Sequence, residues 1–222
     1  MKATLYGIGV GPGDKELLTV KAVRAIENSD IVIAPSAVED GDSIALETAK
    51  EYIKEGTEVV IKHFPMGKKN RVEKAKEAYE FIEEKLNEGK NVSFLTIGDP
   101  YVYSTYIHML KHMEERGFHV ETVPGITSFC AAASLVDRTL VVGDNPLMIL
   151  PATRVKDIRD EKYVVIMKVY KHEETVVDFL EDKGFDYVYV SRAGREGQLI
   201  LTDKDEIKNS RDYMSLILAS RE

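Results

Sequence analysis

The sequence predicts an α/β protein of two domains, the first built on a parallel sheet and the second on a mixed one. Three observations carry this. Apolar strand-like runs alternate with helix-like patterns through the first half of the 222 residues, as in a parallel sheet with helices on both faces. Around Pro124-Gly125 the texture changes. The last three apolar runs then follow one another too closely for helical crossovers, which points to antiparallel pairs in a mixed sheet. The expected boundary lies near residues 117–124, separating 1–118 from 119–222. A cleft between two such domains is a common place for a small-ligand site.

Lys2 to Val10 reads as a strand, and Glu16 to Asn28 as a helix with Leu18, Ala22, Ala25 and Ile26 on one face. Asp30 to Ala34 is a short apolar strand. Ser43 to Glu55 is helical with Ser43 as N-cap, and Glu58 to Lys62 is the next strand. Asn70 to Glu88 has the clearest helical period, carried by Val72, Ala75, Tyr79, Ile82 and Leu86, with Gly89 to stop it. Strand, helix and strand follow at Asn91–Thr96, Ser104–Glu115 and His119–Val123. Thr127 to Leu135 reads as a short helix of small residues. Strands are expected at Leu147–Leu150, Tyr163–Val169, Tyr187–Ser191, Gln198–Thr202 and Tyr213–Ala219, with a helix at Glu173–Glu181.

Composition narrows the function. Lys and Arg total 30 against 38 Asp and Glu, a formal net charge of −8. A dedicated nucleic-acid binder concentrates positive charge instead. The single cysteine, Cys130, allows no intrachain disulfide and fits a reducing compartment, so a cytoplasmic location is expected. The N-terminus lacks an apolar signal core. The longest uncharged run, Thr122 to Val136, is too short and too broken by Pro124 and Gly125 for a membrane span.

Three motifs stand at strand ends. Gly7-Ile8-Gly9-Val10-Gly11-Pro12-Gly13-Asp14 follows a strand and precedes a helix. A dinucleotide loop is one reading. Against it, Pro12 removes a backbone donor, and the acid expected about 20 residues on, at the end of the second strand, is missing because Asp30 opens that strand. The other reading is a tight turn capped by Asp14 and lining a cleft. Ile97-Gly98-Asp99-Pro100 follows the fourth strand, where parallel sheets form ligand crevices. Asp99 could accept hydrogen bonds from a ribose or an amine; otherwise the segment is a turn before a helix capped at Ser104. Val123-Pro124-Gly125-Ile126-Thr127-Ser128 opens the small-residue helix, with Thr127 or Ser128 as cap. Cys130 in its first turn has no evident partner base and reads as a small buried thiol. Of His63, His108, His112, His119 and His172, only His108 and His112 share a metal-ligand spacing, and no acid completes a metalloprotease pattern, so no metal is expected.

The order of these motifs resembles the tetrapyrrole methyltransferases that use S-adenosylmethionine. The matching run is Gly9-Val10-Gly11-Pro12-Gly13-Asp14 with Leu17-Leu18-Thr19, Gly98-Asp99-Pro100, Pro124-Gly125-Ile126-Thr127-Ser128, Met167-Lys168, and Arg192-Ala193-Gly194 with Gln198. Ile33-Ala34-Pro35-Ser36, Thr127-Ser128-Phe129 and Met167-Lys168 are most similar to the branch that methylates carbon 20 of precorrin-2 or cobalt-factor II. Pro35 and Ile97 depart from the uroporphyrinogen branch, which would carry an aspartate near the first and a glycine at the second.

The resemblance implies two α/β/α domains, usually in a homodimer, with the donor in the cleft between them. Donor contacts would be Pro12, Ile97, Gly98, Asp99, Val102, Thr127, Ser128, Met167 and Ala193, with the first loop facing mainly the substrate. No residue stands out as the base that removes the carbon-20 proton. The substrate carries several carboxylates, so Lys68, Lys69, Arg71, Arg154, Lys168 and Lys171 are candidate partners. A basic rim is then expected within an otherwise acidic surface. Rival readings are a nicotinamide-dependent oxidoreductase, a same-fold methyltransferase acting on RNA or protein, and a non-catalytic tetrapyrrole carrier.

Overall fold

The computed structural model describes residues 3–36, 41–63 and 71–222, without the side chains of residues 71–75. Lys68 and Lys69 lie outside the described residues, as does the side chain of Arg71. The chain divides into two compact units, Met1–Thr127 and Ser128–Glu222.

The first unit is a five-stranded parallel sheet. Its strands are β1 (Thr4–Gly9), β2 (Ile31–Ser36), β3 (Glu58–His63), β4 (Val92–Thr96) and β5 (His119–Val123), in the order β3-β2-β4-β1-β5. Its helices are α1 (Val20–Glu27), α2 (Ile44–Ala49), α3 (Arg71–Asn87) and α4 (Tyr106–Glu115). The strands alternate their side chains between two buried layers. Ile8, Val32 and Leu95 pack with Ala22, Ile26 and Ala45 of α1 and α2. Ile31, Ile33, Val92 and Phe94 pack with Ile82, Met109 and Met113 of α3 and α4. Burial on both faces explains why these strands read as continuous apolar runs.

Local signals set most helix ends. Ser43 accepts from the Leu46 N–H and so caps α2. Gly89, with φ 83, follows α3, and its N–H returns to the Leu86 carbonyl. The helix expected over Glu16–Asn28 is interrupted. A 3-10 turn at Lys15–Leu17, capped by Asp14, precedes α1, which Thr19 caps by accepting from the Ala22 N–H. Threonine offered a second capping hydroxyl, and the helix restarts there. α2 also gives way to a 3-10 turn, at Lys50–Tyr52, there without a side-chain cap.

The boundary falls later than residues 118/119. β5 pairs along β1 from Thr4↔His119 to Ile8↔Val123, so it completes the first sheet rather than opening the second.

The second unit opens with α5 (Ser128–Leu135) and builds a five-stranded mixed sheet. Its strands are β6 (Leu147–Pro151), β7 (Tyr163–Met167), β8 (Asp186–Ser191), β9 (Leu199–Leu201) and β10 (Ser215–Ser220), in the order β6-β7-β10-β8-β9. β10 runs antiparallel to both β7 and β8. Val164, Ile166, Tyr187, Tyr189 and Ile217 pack with Val176, Val177 and Leu180 of α6 (Glu173–Asp182).

One expectation fails here. A helix, α7 (Lys204–Asn209), does fit between the last two strands, capped by Asp203, whose carboxylate accepts from the Asp205 and Glu206 N–H groups. β9 and β10 are consequently not neighbours; β8 lies between them. Six residues suffice because only Ile207 of α7 has to reach the core.

One packing contact yields a direct test. Gly7 faces the ring of fully buried Tyr106, and an added Cβ would lie 2.1 Å from its Cε2 and Cζ. Gly7→Ala is expected to cost about 2–3 kcal/mol, as overpacked cores do. Chemical denaturation should show that cost shrinking once Tyr106→Ala is also present; equal costs in both backgrounds would refute the contact.

Candidate active site

The three glycine motifs of the first unit meet at the carboxyl ends of β1, β4 and β5. Gly11 and Gly98 form an isolated antiparallel bridge, with Gly98 N–H to Gly11 O at 2.7 Å and Gly11 N–H to Gly98 O at 3.3 Å. A Cβ on Gly9 would lie 2.5 Å from the Gly125 nitrogen and 2.7 Å from the Gly98 carbonyl oxygen. A Cβ on Gly125 would lie 2.1 Å from that oxygen. The three backbones therefore touch where only glycine fits.

Asp99 ties the cluster together. Its Oδ1 accepts from the Tyr101 N–H at 2.8 Å, and its Oδ2 accepts from the Gly125 N–H at 3.1 Å. The carboxylate thus joins the loop after β4 to the loop after β5. The connections leaving β1 and β4 run in opposite directions across the sheet. That is the switch point outside which open α/β sheets bind ligands.

Around the cluster, Pro12 and Gly98 are buried, while Ile97, Asp99, Val102 and Thr127 are partly exposed. Gly98 has φ 73 and no atom within 4 Å of where a Cβ would be, so one side of the loop faces open space. The Thr96 and Thr127 hydroxyls are buried and lack a partner among the described residues. Such groups are costly unless a ligand or water completes them. Thr127 therefore caps nothing with its side chain.

The dinucleotide reading of the first loop fails on geometry. The Gly11 N–H is used by Gly98, and the 3-10 turn at Lys15–Leu17 separates the loop from α1. No helix N-terminus follows the glycines directly, as a pyrophosphate site requires.

The structure also shows a contact the sequence reading missed. The Tyr106 phenol and the Thr122 hydroxyl are 2.6 Å apart, and the Tyr101 hydroxyl donates to Thr122 at 3.1 Å. Burial, partly offset by the Thr122 hydrogen bond, pushes the Tyr106 phenol up to about 12. The spacing of Tyr101, Tyr106 and Thr122 carries no motif, so only the fold reveals it.

The second unit brings its expected residues to one sheet edge as well. β6, β7 and β8 all run the same way, so their carboxyl ends share that edge. Pro151 pairs with Met167, and Met167 with Leu216. Ser191 pairs with Ser215, and the Arg192 N–H donates to the Met214 carbonyl at 3.0 Å. Met167 and Ala193 therefore flank the start of β10 from its two sides, while Ser128 begins α5. The Ser191 hydroxyl is buried without a partner. A depression of about 850 Å³ lies at the opposite end of this sheet, lined by Tyr163, Asp186 and Ser220. None of the expected site residues lines it.

Other candidates have ordinary duties. His112 is 2.6 Å from Glu83, which also pairs with Arg116 at 2.9 Å, so it ties α4 to α3 and does not join His108. Cys130 is exposed, not buried as expected. Arg154 pairs with Asp157, and Lys171 lies over the Tyr170 ring.

Residues 4–207 match the family described as Tetrapyrrole (Corrin/Porphyrin) Methylases. The chain belongs to the tetrapyrrole methylase family. It is 30% identical to the cobalt-precorrin-2 C(20)-methyltransferase of Salmonella typhimurium, covering 100% of this chain and 98% of the relative. It is 36% identical to the cobalamin biosynthesis protein CobIJ of Mycobacterium tuberculosis over 98% of this chain, but spans only 46% of that relative. The fold matches the crystal structure of uroporphyrin-III C-methyl transferase from Thermus thermophilus complexed with S-adenyl homocysteine. That likeness has TM-score 0.75 at 19% identity and covers 99% of this methylase and 98% of the other chain. No helix among the described residues is long and apolar enough to cross a membrane.

Proposed function

We propose that this methylase transfers a methyl group from S-adenosylmethionine to carbon 20 of precorrin-2 or its cobalt complex, a step of cobalamin biosynthesis. The observation that carries the reading is the glycine cluster held by Asp99, which joins the motifs of three separate loops at one switch point. The C(20)-methyltransferase name of the Salmonella relative supports the carbon, and the Thermus neighbour complexed with S-adenyl homocysteine supports the donor.

The donor residues would be Pro12, Ile97, Gly98, Asp99, Val102 and Thr127 of the first unit and Ser128, Met167 and Ala193 of the second. The unpartnered hydroxyl of Thr127 and the open face of Gly98 fit a polar ligand. S-adenosylmethionine, when bound, supplies an electrophilic methyl on a cationic sulfur. The protein's own task is then alignment, which can supply on the order of 7–11 kcal/mol. The close-packed backbones of Gly9, Gly98 and Gly125 suit that task, because rigid elements hold geometry better than free loops. We read the working form as a cytoplasmic homodimer, in keeping with the family resemblance and the free Cys130.

The test is incubation with methyl-labelled donor and, separately, precorrin-2 and its cobalt complex. The new methyl is then located by NMR. A methyl at carbon 20 is expected with at least one macrocycle. Methylation at another carbon, or of neither macrocycle, would reject the assignment. Light scattering should give twice the 25.0 kDa chain mass.

A further inference from the structure

We infer that Arg195 is a carboxylate-binding residue at the edge of the second sheet that carries Met167 and Ala193, an inference that rests on the proposed function for the ligands it names. Arg195 lies in the turn after β8. Its Nη1 is buried and has no hydrogen-bond partner among the described residues. The neighbouring acid is already engaged: Asp212 accepts from Arg192 Nε at 2.6 Å and from the Met214 N–H at 2.9 Å. Asp212 thus pairs with Arg192. Burial, then the Arg192 charge, lower the Arg195 pKa, with Asp212 opposing them. Arginine nonetheless stays protonated in proteins, so this partly desolvated fork remains a cation with an open donor at Nη1.

The turn is built to hold that position. The Arg195 N–H donates to the Arg192 carbonyl at 2.9 Å, and the Gln198 N–H to the Arg195 carbonyl at 3.1 Å. The Gly194 N–H donates to Gln198 Oε1 at 2.8 Å. Arg192, Gly194 and Gly197 all take positive φ, at 50, 74 and 74. Arg195 is partly exposed, but its Nη1 is cut off from solvent; a buried donor without a partner is costly, and an anion supplied from outside would complete it. The planar fork fits a carboxylate through two parallel hydrogen bonds. Two ligands bring one: the acidic side chains of a tetrapyrrole and the amino-acid carboxylate of the methyl donor.

The experiment uses the full chain with Arg195→Gln and, as a charge-retaining control, Arg195→Lys. Uroporphyrin III binding is followed by absorbance, S-adenosylhomocysteine binding by calorimetry, and melting by circular dichroism. Arg195→Gln should weaken one of the two ligands by roughly 30-fold, the cost of leaving one carboxylate unpaired. Its melting temperature should be unchanged or raised, because a buried donor nitrogen without a partner is removed. Weakening confined to uroporphyrin III assigns the carboxylate to the macrocycle; weakening confined to S-adenosylhomocysteine assigns it to the donor. Arg195→Lys should fold and lose less. Both affinities unchanged, or neither ligand bound by the wild type, would overturn the inference. The methyl-transfer assay stands apart: failed carbon-20 transfer with a binding defect in Arg195→Gln rejects the proposed reaction and keeps the carboxylate site.

Discussion

Gly125→Ala is expected to cost the protein at least about 3 kcal/mol, at the upper end of overpacking penalties. For a chain of this size that corresponds to roughly 6–12 °C of melting temperature. The new methyl would lie 2.1 Å from the Gly98 carbonyl oxygen, 2.7 Å from the Gly9 carbonyl carbon and 2.8 Å from the Gly9 Cα. All three are backbone atoms, so no side chain can swing aside. Gly9 ends β1, and the Gly98 loop is bridged to Gly11, so relief requires moving strand ends that are paired on both sides. S-adenosylhomocysteine binding should be lost in the same variant. Circular dichroism melts and calorimetry check both effects. A variant that melts within about 2 °C of wild type and binds normally would show that these backbones are not in contact.

The second large effect concerns Asp99. Asp99→Ala should lower S-adenosylhomocysteine affinity at least about tenfold, because it removes two internal hydrogen bonds to a charged group, roughly 1.5–3 kcal/mol each, that hold the loops after β4 and β5 in place for the ligand. The loss is local. Neither bond belongs to the β-ladder, and the hydrophobic layers on both faces of the sheet remain, so the far-ultraviolet spectrum should be unchanged. Asp99→Asn keeps one carbonyl acceptor and should fall between wild type and alanine. Equal affinity in all three proteins would remove Asp99 from the site. The structure recasts this residue: its two oxygens already hold Tyr101 and Gly125, so it shapes the loops whatever else it touches.

Much of the fold was legible because its determinants are local. The continuous apolar runs of β1, β2 and β4, the capping serine Ser43 and the terminating Gly89 each act within a few residues. The misreadings have local causes too, but competing ones. Thr19 offered a cap inside an apparently continuous helix, and Asp203 supported a short helix where the spacing of strands left little room. Pairing partners were less legible: β5 looked like the start of a second domain until its ladder to β1 placed it in the first.

The sequence by itself determined the class of protein, the order of its motifs and the family they resemble, because residue type and spacing survive without coordinates. Only the tertiary structure decided what those motifs do to one another. Gly9, Gly98 and Gly125 are far apart along the chain and touch because three parallel strands end side by side. Tyr101, Thr122 and Tyr106 became one hydrogen-bonded group for the same reason. Arg195 was one of thirty cations until burial singled it out, since desolvation depends on what packs around a charge rather than on its neighbours in sequence.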